Sequence, residues 1–460
     1  MRKCSTRGRL REPGDNLPQM AQVLPDESTE ARWTCCPNQP MHPRRLCSLV
    51  LFAALACGKE VPPAGPTLNA PPIKASPAHR WVLAATRRDL GTLGGSSSFA
   101  TDINNAGTVV GWSLNANGVA RAFRWTTDAG MIDLGTLPDH DWSRAVSIND
   151  NGEILGVSGD TESGQTTPVT WSAKTDITSL AIPLLPGASF GEPTDFNHSG
   201  EVVGWDVVGF QHAWTWHEER GKLDLTATAP APGAEGISSQ INALGFVAGT
   251  NKAAVCSAMV ECWRGFLWSF GSGYMEIGTP GADSNVAVTT LGLNNRSTVV
   301  GWTMDSSFQM RPYRWRADGG FTMLPLAAAP GYAMAINTAR VAVGASWSAA
   351  NGAIQPTAWT RDDIQLALNT ETPFPGVAVA INESNAIVGW TSLDCCGMEH
   401  RAMLWTLERA AAQSSTNPAP ARHVAVAIPA NSTSMCLTDP QALLSRATLF
   451  ACVVRKSAPE

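Results

Sequence analysis

Charge is scarce in this chain. Lys and Arg number 33 and Asp and Glu 39 among 460 residues, a charged fraction of 16% with a formal net charge of −6. No basic run or stripe is present, which excludes the electrostatic footprint of a nucleic-acid binder. Tyr occurs three times (Tyr274, Tyr313, Tyr332) and His eight times, with no His in a ligand pair. The apolar run Leu46 to Ala56 is 11 residues long, too short to cross a bilayer as a permanent helix. No window of about 15 residues within 89–405 carries helical periodicity with caps. The His-Glu-x-x-His zinc helix, the Gly-x-x-x-x-Gly-Lys-Ser/Thr phosphate loop and the Gly-x-Ser-x-Gly elbow are all missing. The sequence therefore implies no cofactor, no metal and no catalytic residue of those classes.

What is there is a phrase repeated seven times. Its copies pair Asn104 with Gly111, Asn149 with Gly156, Asn197 with Gly204, Asn242 with Gly249, Asn294 with Gly301, Asn337 with Gly344 and Asn382 with Gly389. The Asn-to-Gly offset is always 7, and the Asn-to-Asn steps are 45, 48, 45, 52, 43 and 45. A Trp follows each Gly after 12 to 19 residues: Trp125, Trp171, Trp216, Trp268, Trp315, Trp359 and Trp405. Nine residues beyond six of these lies an aliphatic residue, from Leu134 to Leu368. The fixed spacings mark tight hairpins, and the variable one marks the loop.

The first copy shows what one unit is. Ala100 to Ile103 is a short extended run. Asn104-Asn105-Ala106-Gly107 is turn chemistry, and Thr108 to Trp112 is β-branched and aromatic. Two such runs around an Asn/Gly turn form a hairpin. Arg121 to Trp125 alternates apolar and polar as a third strand, and Met131 to Leu137 supplies a fourth. Four strands per unit of this length predict an all-β fold, a seven-bladed β-propeller of four-stranded blades. The seventh unit lacks a fourth strand after Trp405, while Asp89-Leu90-Gly91-Thr92-Leu93 precedes the first Asn and matches Asp133-Leu134-Gly135-Thr136-Leu137. The N-terminal strand 89–93 is therefore expected to complete the last blade and close the ring, removing free sheet edges.

The runs Asp89 to Gly95, Ile103 to Trp112 and Gln211 to Trp216 resemble the bacterial extracellular HAF-repeat family, named for a His-Ala-Phe run before the Trp. Here that run is degenerate, as in Arg121-Ala122-Phe123, His212-Ala213-Trp214 and Arg401-Ala402-Met403. The resemblance covers 89–405 and implies an extracellular protein. It carries over no activity and no catalytic residue, because the motif has none.

The ends fit export. Residues 1–40 are polar, Pro-rich and unpatterned, and read as an extension ahead of a true start at Met41. Residues 41–57 read as a signal: basic residues, the apolar run, then Ala54-Leu55-Ala56-Cys57, which resembles a lipobox with Cys57 as the lipidated residue. An ordinary signal cut near Ala56 is the alternative. Residues 58–80 form a Pro/Ala-rich tether, 81–408 the propeller, and 409–460 a linker and tail. Past Cys57, six cysteines remain, an even number as oxidising compartments favour. Cys256 and Cys262 flank the insert of the fourth blade and are disulfide candidates, as are Cys436 and Cys452 in the tail. Cys395 and Cys396 form a vicinal disulfide or pair elsewhere, and a metal site with His400 would need more ligands than are nearby.

Candidates for chemistry are few. Asp150-Asn151-Gly152 has a calcium-like look but fills a turn that other blades make without Asp. Thr126 to Gly130 resembles half of a sialidase Asp-box turn, which is itself structural. Trp112, Trp205, Trp302 and Trp390 follow the repeat Gly in alternate blades. They either pack large against small between blades, or line a rim and stack on a sugar or peptide. The longest loop, Gly249 to Trp263, is the first place to look for a ligand. The sequence thus predicts an exported, lipid-anchored, monomeric, non-catalytic binding or scaffold module at the bacterial cell surface. Its expected partner is protein or glycan, with membrane contact only through the anchor. The alternative is a propeller hydrolase or lyase acting on extracellular polysaccharide.

Overall fold

The computed structural model describes residues 82–410 apart from 174–175, 230–234, 253–262, 282–285, 306–308, 349–351, 370–373 and 394–398. Within them, seven four-stranded antiparallel sheets form the blades of a β-propeller. Blade one runs Gly94–Ile103, Val109–Asn115, Ala120–Thr126 and Gly130–Asp133, each strand paired with the next. The first strand of each blade touches the first strand of the next all the way round, ending with Gly376–Ile381 against Gly94–Ile103. First strands are therefore innermost. The turns joining first to second and third to fourth strands share one face of the ring. The remaining connections lie on the opposite face.

Each part of the repeated phrase has a structural cause. In every blade the pairing of first and second strands skips one residue, as between Ala100 and Asp102 or between Thr290 and Gly292. The repeat Gly sits beside this bulge. A Cβ there would occupy the place of a first-strand carbonyl oxygen: that of Phe99 at Gly111, Thr289 at Gly301 and Val377 at Gly389, and likewise in the other four blades. Glycine is required by close backbone approach.

The Asn is buried at all seven positions. Its Oδ1 caps the turn, accepting from Thr108 N at 3.0 Å in the case of Asn104. Its amide reaches the next blade. Asn104 Nδ2 donates to Asn149 O at 3.1 Å, Asn242 to Asn294 O at 3.1 Å, Asn294 to Asn337 O at 2.8 Å and Asn337 to Asn382 O at 3.1 Å. Asn197 does the same to Asn242 O at 3.3 Å. Asn149 departs from the pattern, because its amide turns to Glu153 of its own blade at 2.7 Å. Asn satisfies both ends because one side chain carries an acceptor and a donor.

The third-strand Trp residues pack the blades together, with Trp171, Trp359 and Trp405 wholly buried. The aliphatic residue after each outer strand docks back by its N–H, Leu134 onto Ala122 O at 2.9 Å and Leu324 onto Pro312 O at 2.9 Å. Leu90 makes the seventh such bond, to Ala402 O at 2.9 Å. Ring closure follows the sequence reading, but the closing strand is Val82–Asp89, just ahead of the expected 89–93. It pairs with His400–Ala410. The strand stops at Asp89 because Asp89 Oδ1 accepts from Gly91 N at 2.8 Å, and Gly91 takes a φ of 80°. Asp133 and Gly135 repeat that turn in blade one, with the same 2.8 Å bond and the same φ.

Candidate functional site: a groove on the turn face

Four turns from blades three and four meet on the face that carries the Asn hairpins, around a groove of about 460 Å³. Glu201, Arg220, Leu244 and Phe270 give it its chemistry, with Ser269, Gly271 and Ser272 on its walls. Glu201 opens the second strand of blade three, where Asn197 Oδ1 accepts its N–H at 3.1 Å. The carboxylate is buried. Its Oε1 accepts from Arg220 Nη2 at 2.6 Å and its Oε2 from Asn197 Nδ2 at 3.2 Å. Arg220 lies in the third turn of the same blade, and its side chain is 45% exposed.

The guanidinium then crosses to the next blade. Its carbon sits 4.6 Å from the centroid of the Phe270 ring, a cation–π distance. Phe270 is 54% exposed, and its ring is braced edge-on by Trp268 at 4.6 Å. Leu244, at the tip of the neighbouring Asn hairpin, is 66% exposed. The groove therefore carries two exposed large apolar side chains, Leu244 and Phe270. The ion pair leaves the groove electrically neutral. It still presents the unused donors on Nε and Nη1 of Arg220.

The sequence-predicted residues lie elsewhere. Trp112, Trp205, Trp302 and Trp390 are buried, 1–8% exposed. Phe99 stacks on Trp112 at 4.4 Å and meets Trp390 of the adjoining blade at 5.7 Å. All four indoles are buried, so none offers the open face that stacking on a sugar or peptide needs. His400 is wedged against Phe99 and Trp390 at 4.8 and 5.0 Å. Cys57, Cys256, Cys262, Cys395, Cys396, Cys436 and Cys452 lie outside the described residues, as does most of the loop from Gly249 to Trp263. Asp150 accepts from Asn105 N at 2.9 Å and Nδ2 at 2.8 Å, so the calcium-like turn clips two blades together. Among the described residues, no three His, Cys, Asp or Glu side chains gather to hold a metal.

Other buried charges are bonded within the fold. Lys222 Nζ donates to Asp206 Oδ2 at 2.6 Å and Pro183 O at 2.8 Å, and lies 4.0 Å from the Trp214 ring centroid. Burial pushes its amine down, opposed by Asp206. Arg144 of blade two meets Glu192 of blade three at 2.8 Å. Arg314 spans to Asp363 and to Arg340 O in the adjoining blade. Burial pushes the phenols of Tyr274, Tyr313 and Tyr332 up, the reverse of what a tyrosine nucleophile needs.

No protein-family model matches the chain, and no curated protein matches it. Among solved structures it is similar to an acylaminoacyl peptidase of Pyrococcus horikoshii, at 10% identity and a TM-score of 0.41, covering 66% of this chain and 50% of that one. It is also similar to a post-proline cleaving enzyme of Rickettsia typhi, at 10% identity and a TM-score of 0.41, covering 67% and 52%. A third likeness is to the Aleuria aurantia lectin in complex with Fucα1-6GlcNAc, at 8% identity and a TM-score of 0.33, covering 69% and 96%. The chain spans about half the length of the two peptidases. At these values the likeness assigns neither ligand nor reaction.

Proposed function

We propose that this propeller is an exported, lipid-anchored, non-catalytic binding module at the bacterial cell surface, and that the groove between blades three and four is its contact site. The observation that carries the reading is Phe270, a braced and exposed ring beside a charge-compensated Arg220–Glu201 pair. A few placed polar groups beside an apolar platform suit recognition. Of the buried ion pairs elsewhere, Arg144–Glu192 joins two blades and Lys222–Asp206 braces one, and the phenols are held protonated. The HAF-like repeats and the lipobox-like Ala54 to Cys57 support the surface location.

The binding reading is tested with the full chain on arrays of cell-surface glycans and proteins, alongside Leu244→Ser and Phe270→Ala. Retention that both substitutions weaken is the expected result. Release of reducing ends or unsaturated products from a polysaccharide by the purified protein would overturn the reading in favour of a hydrolase or lyase. Anchoring is tested by metabolic labelling with a clickable fatty acid. The wild type should take up label and Cys57→Ser should not. Label that persists in Cys57→Ser, or no label in either, overturns the anchor.

A further inference from the structure

We infer that the groove takes a neutral carbohydrate, with one face of a pyranose on Phe270 and its hydroxyls on Arg220, whose charge the buried Glu201 balances. The inference rests on the reading of this groove as the contact site. Charge decides the ligand class. Arg220 Nη2 and Glu201 Oε1 are 2.6 Å apart, so an anionic ligand drawn to the guanidinium meets the carboxylate, and a cationic one meets the reverse. A neutral polyol meets neither repulsion. It can accept from the exposed donors on Nε and Nη1 of Arg220, while the buried Glu201 carboxylate beneath balances the charge. A ligand hydrogen-bonded to charged groups gains more per bond than one held by neutral groups, without burying net charge.

Shape agrees. Phe270 has one side engaged by the guanidinium at 4.6 Å, and it remains 54% exposed. Trp268 fixes the ring, so stacking costs little ordering. Gly271 and Gly245 keep the walls low, and a Cβ at Gly271 would meet nothing within 4 Å. Ser269 and Ser272, whose hydroxyls are bonded to each other at 2.7 Å, give the groove a polar wall.

The test is calorimetric titration of the full chain with neutral, uronic-acid and amino-sugar oligosaccharides at about 50 and about 500 mM salt. The expected result is binding of a neutral oligosaccharide with little salt dependence. Phe270→Ala and Arg220→Lys should each weaken it roughly tenfold. Glu201→Gln leaves Arg220 uncompensated and should turn preference toward the uronic-acid ligand. Thermal melts of each variant separate lost folding from lost binding. Wild-type preference for a charged oligosaccharide, with strong salt dependence, overturns the inference. So does neutral-sugar binding that survives Phe270→Ala and Arg220→Lys, although the binding function then stands. Binding of a protein and of no sugar overturns the carbohydrate but not the module, whereas cleavage of a polysaccharide overturns both.

Discussion

Asn382 in the seventh blade donates its side-chain amide to the backbone carbonyl of Asn104 in the first, at 3.1 Å. The bond spans the two ends of the repeat array and is chemically the same as those between neighbouring copies. Closure is therefore written into the phrase itself as well as into the strand that completes the last blade.

Asn382→Asp should isolate the donor. Aspartate keeps the acceptor for Ser384 N and Ala386 N, at 3.1 and 2.9 Å in the native turn. It offers no N–H to Asn104 O and sets a buried negative charge beside a carbonyl. A loss of about 1–3 kcal/mol is expected, the cost of an unsatisfied buried group. Urea unfolding measures it, and an unchanged midpoint would show that the amide is incidental to closure.

The repeat Gly makes a sharper contrast. Gly301→Ala would drive a Cβ into the carbonyl oxygen of Thr289 and force the inner hairpin apart. Gly319→Ala meets open space in a turn of the same blade. The first should lose at least about 1–3 kcal/mol, as overpacked sites do. The second should lie within about 0.5 kcal/mol of wild type, as for a surface substitution. Equal effects on the thermal midpoint would refute the close-approach explanation.

Much of this architecture was legible because repetition makes local rules unambiguous. An Asn, a turn and a Gly at fixed offset define a hairpin, and seven copies define a ring. The boundary of the closing strand was less legible, since Leu90 and Leu93 look like strand residues. Only the Asp89–Gly91 turn shows that the chain has already left the sheet. The groove was hidden for a different reason. Its four key side chains come from two repeats and are 19 to 69 residues apart along the chain, counting from Glu201 to Arg220 and to Phe270. One signal existed: Phe270 stands at the turn position where the first blade has Thr127 and the fifth has Ala317. The alternation of the four Trp residues is visible in sequence, whereas their burial is not.

The Arg144–Glu192 pair gives a pH dependence with a defined sign. Burial pushes the Glu192 carboxyl above its ordinary value of 4.5, opposed by Arg144. Above 4.5, up to its raised value, the native state holds a proton that the unfolded chain has released. Its contribution to stability is therefore full below the unfolded value and is lost as pH rises through the folded one. Glu192→Gln should flatten this part of the stability profile. Arg144→Met leaves the carboxylate unpaired and should cost about 3–5 kcal/mol near neutral pH, less in acid where Glu192 protonates. Parallel profiles for wild type and both variants, from urea unfolding across pH, would contradict the assignment.

The closing strand should be replaceable in trans. Val82–Asp89 pairs along its whole length with His400–Ala410, and Ala85, opposite Leu407, packs with it against the buried cluster shared by blades six and seven. Arg87 Nη1 donates to Asn369 Oδ1 at 2.7 Å in blade six, and the Arg88 guanidinium lies 4.8 Å from the Trp125 ring in blade one. The strand therefore ties three blades. A chain starting at Gly91 would leave His400–Ala410 as a long open edge, the kind that templates aggregation. It would also lose Leu90, which is buried and bonded to Ala402 O. The truncated protein should melt lower and aggregate. A synthetic peptide spanning 82–93 should restore its melting midpoint in a concentration-dependent way, because a ligand that binds only the folded ring stabilises it by RT ln(1 + [L]/Kd). A scrambled peptide should do nothing, since strand addition needs side chains that fit the pockets as well as backbone pairing. If the truncated chain melts where the full chain does, the strand is dispensable, and the Asn bonds between blades hold the ring closed without it.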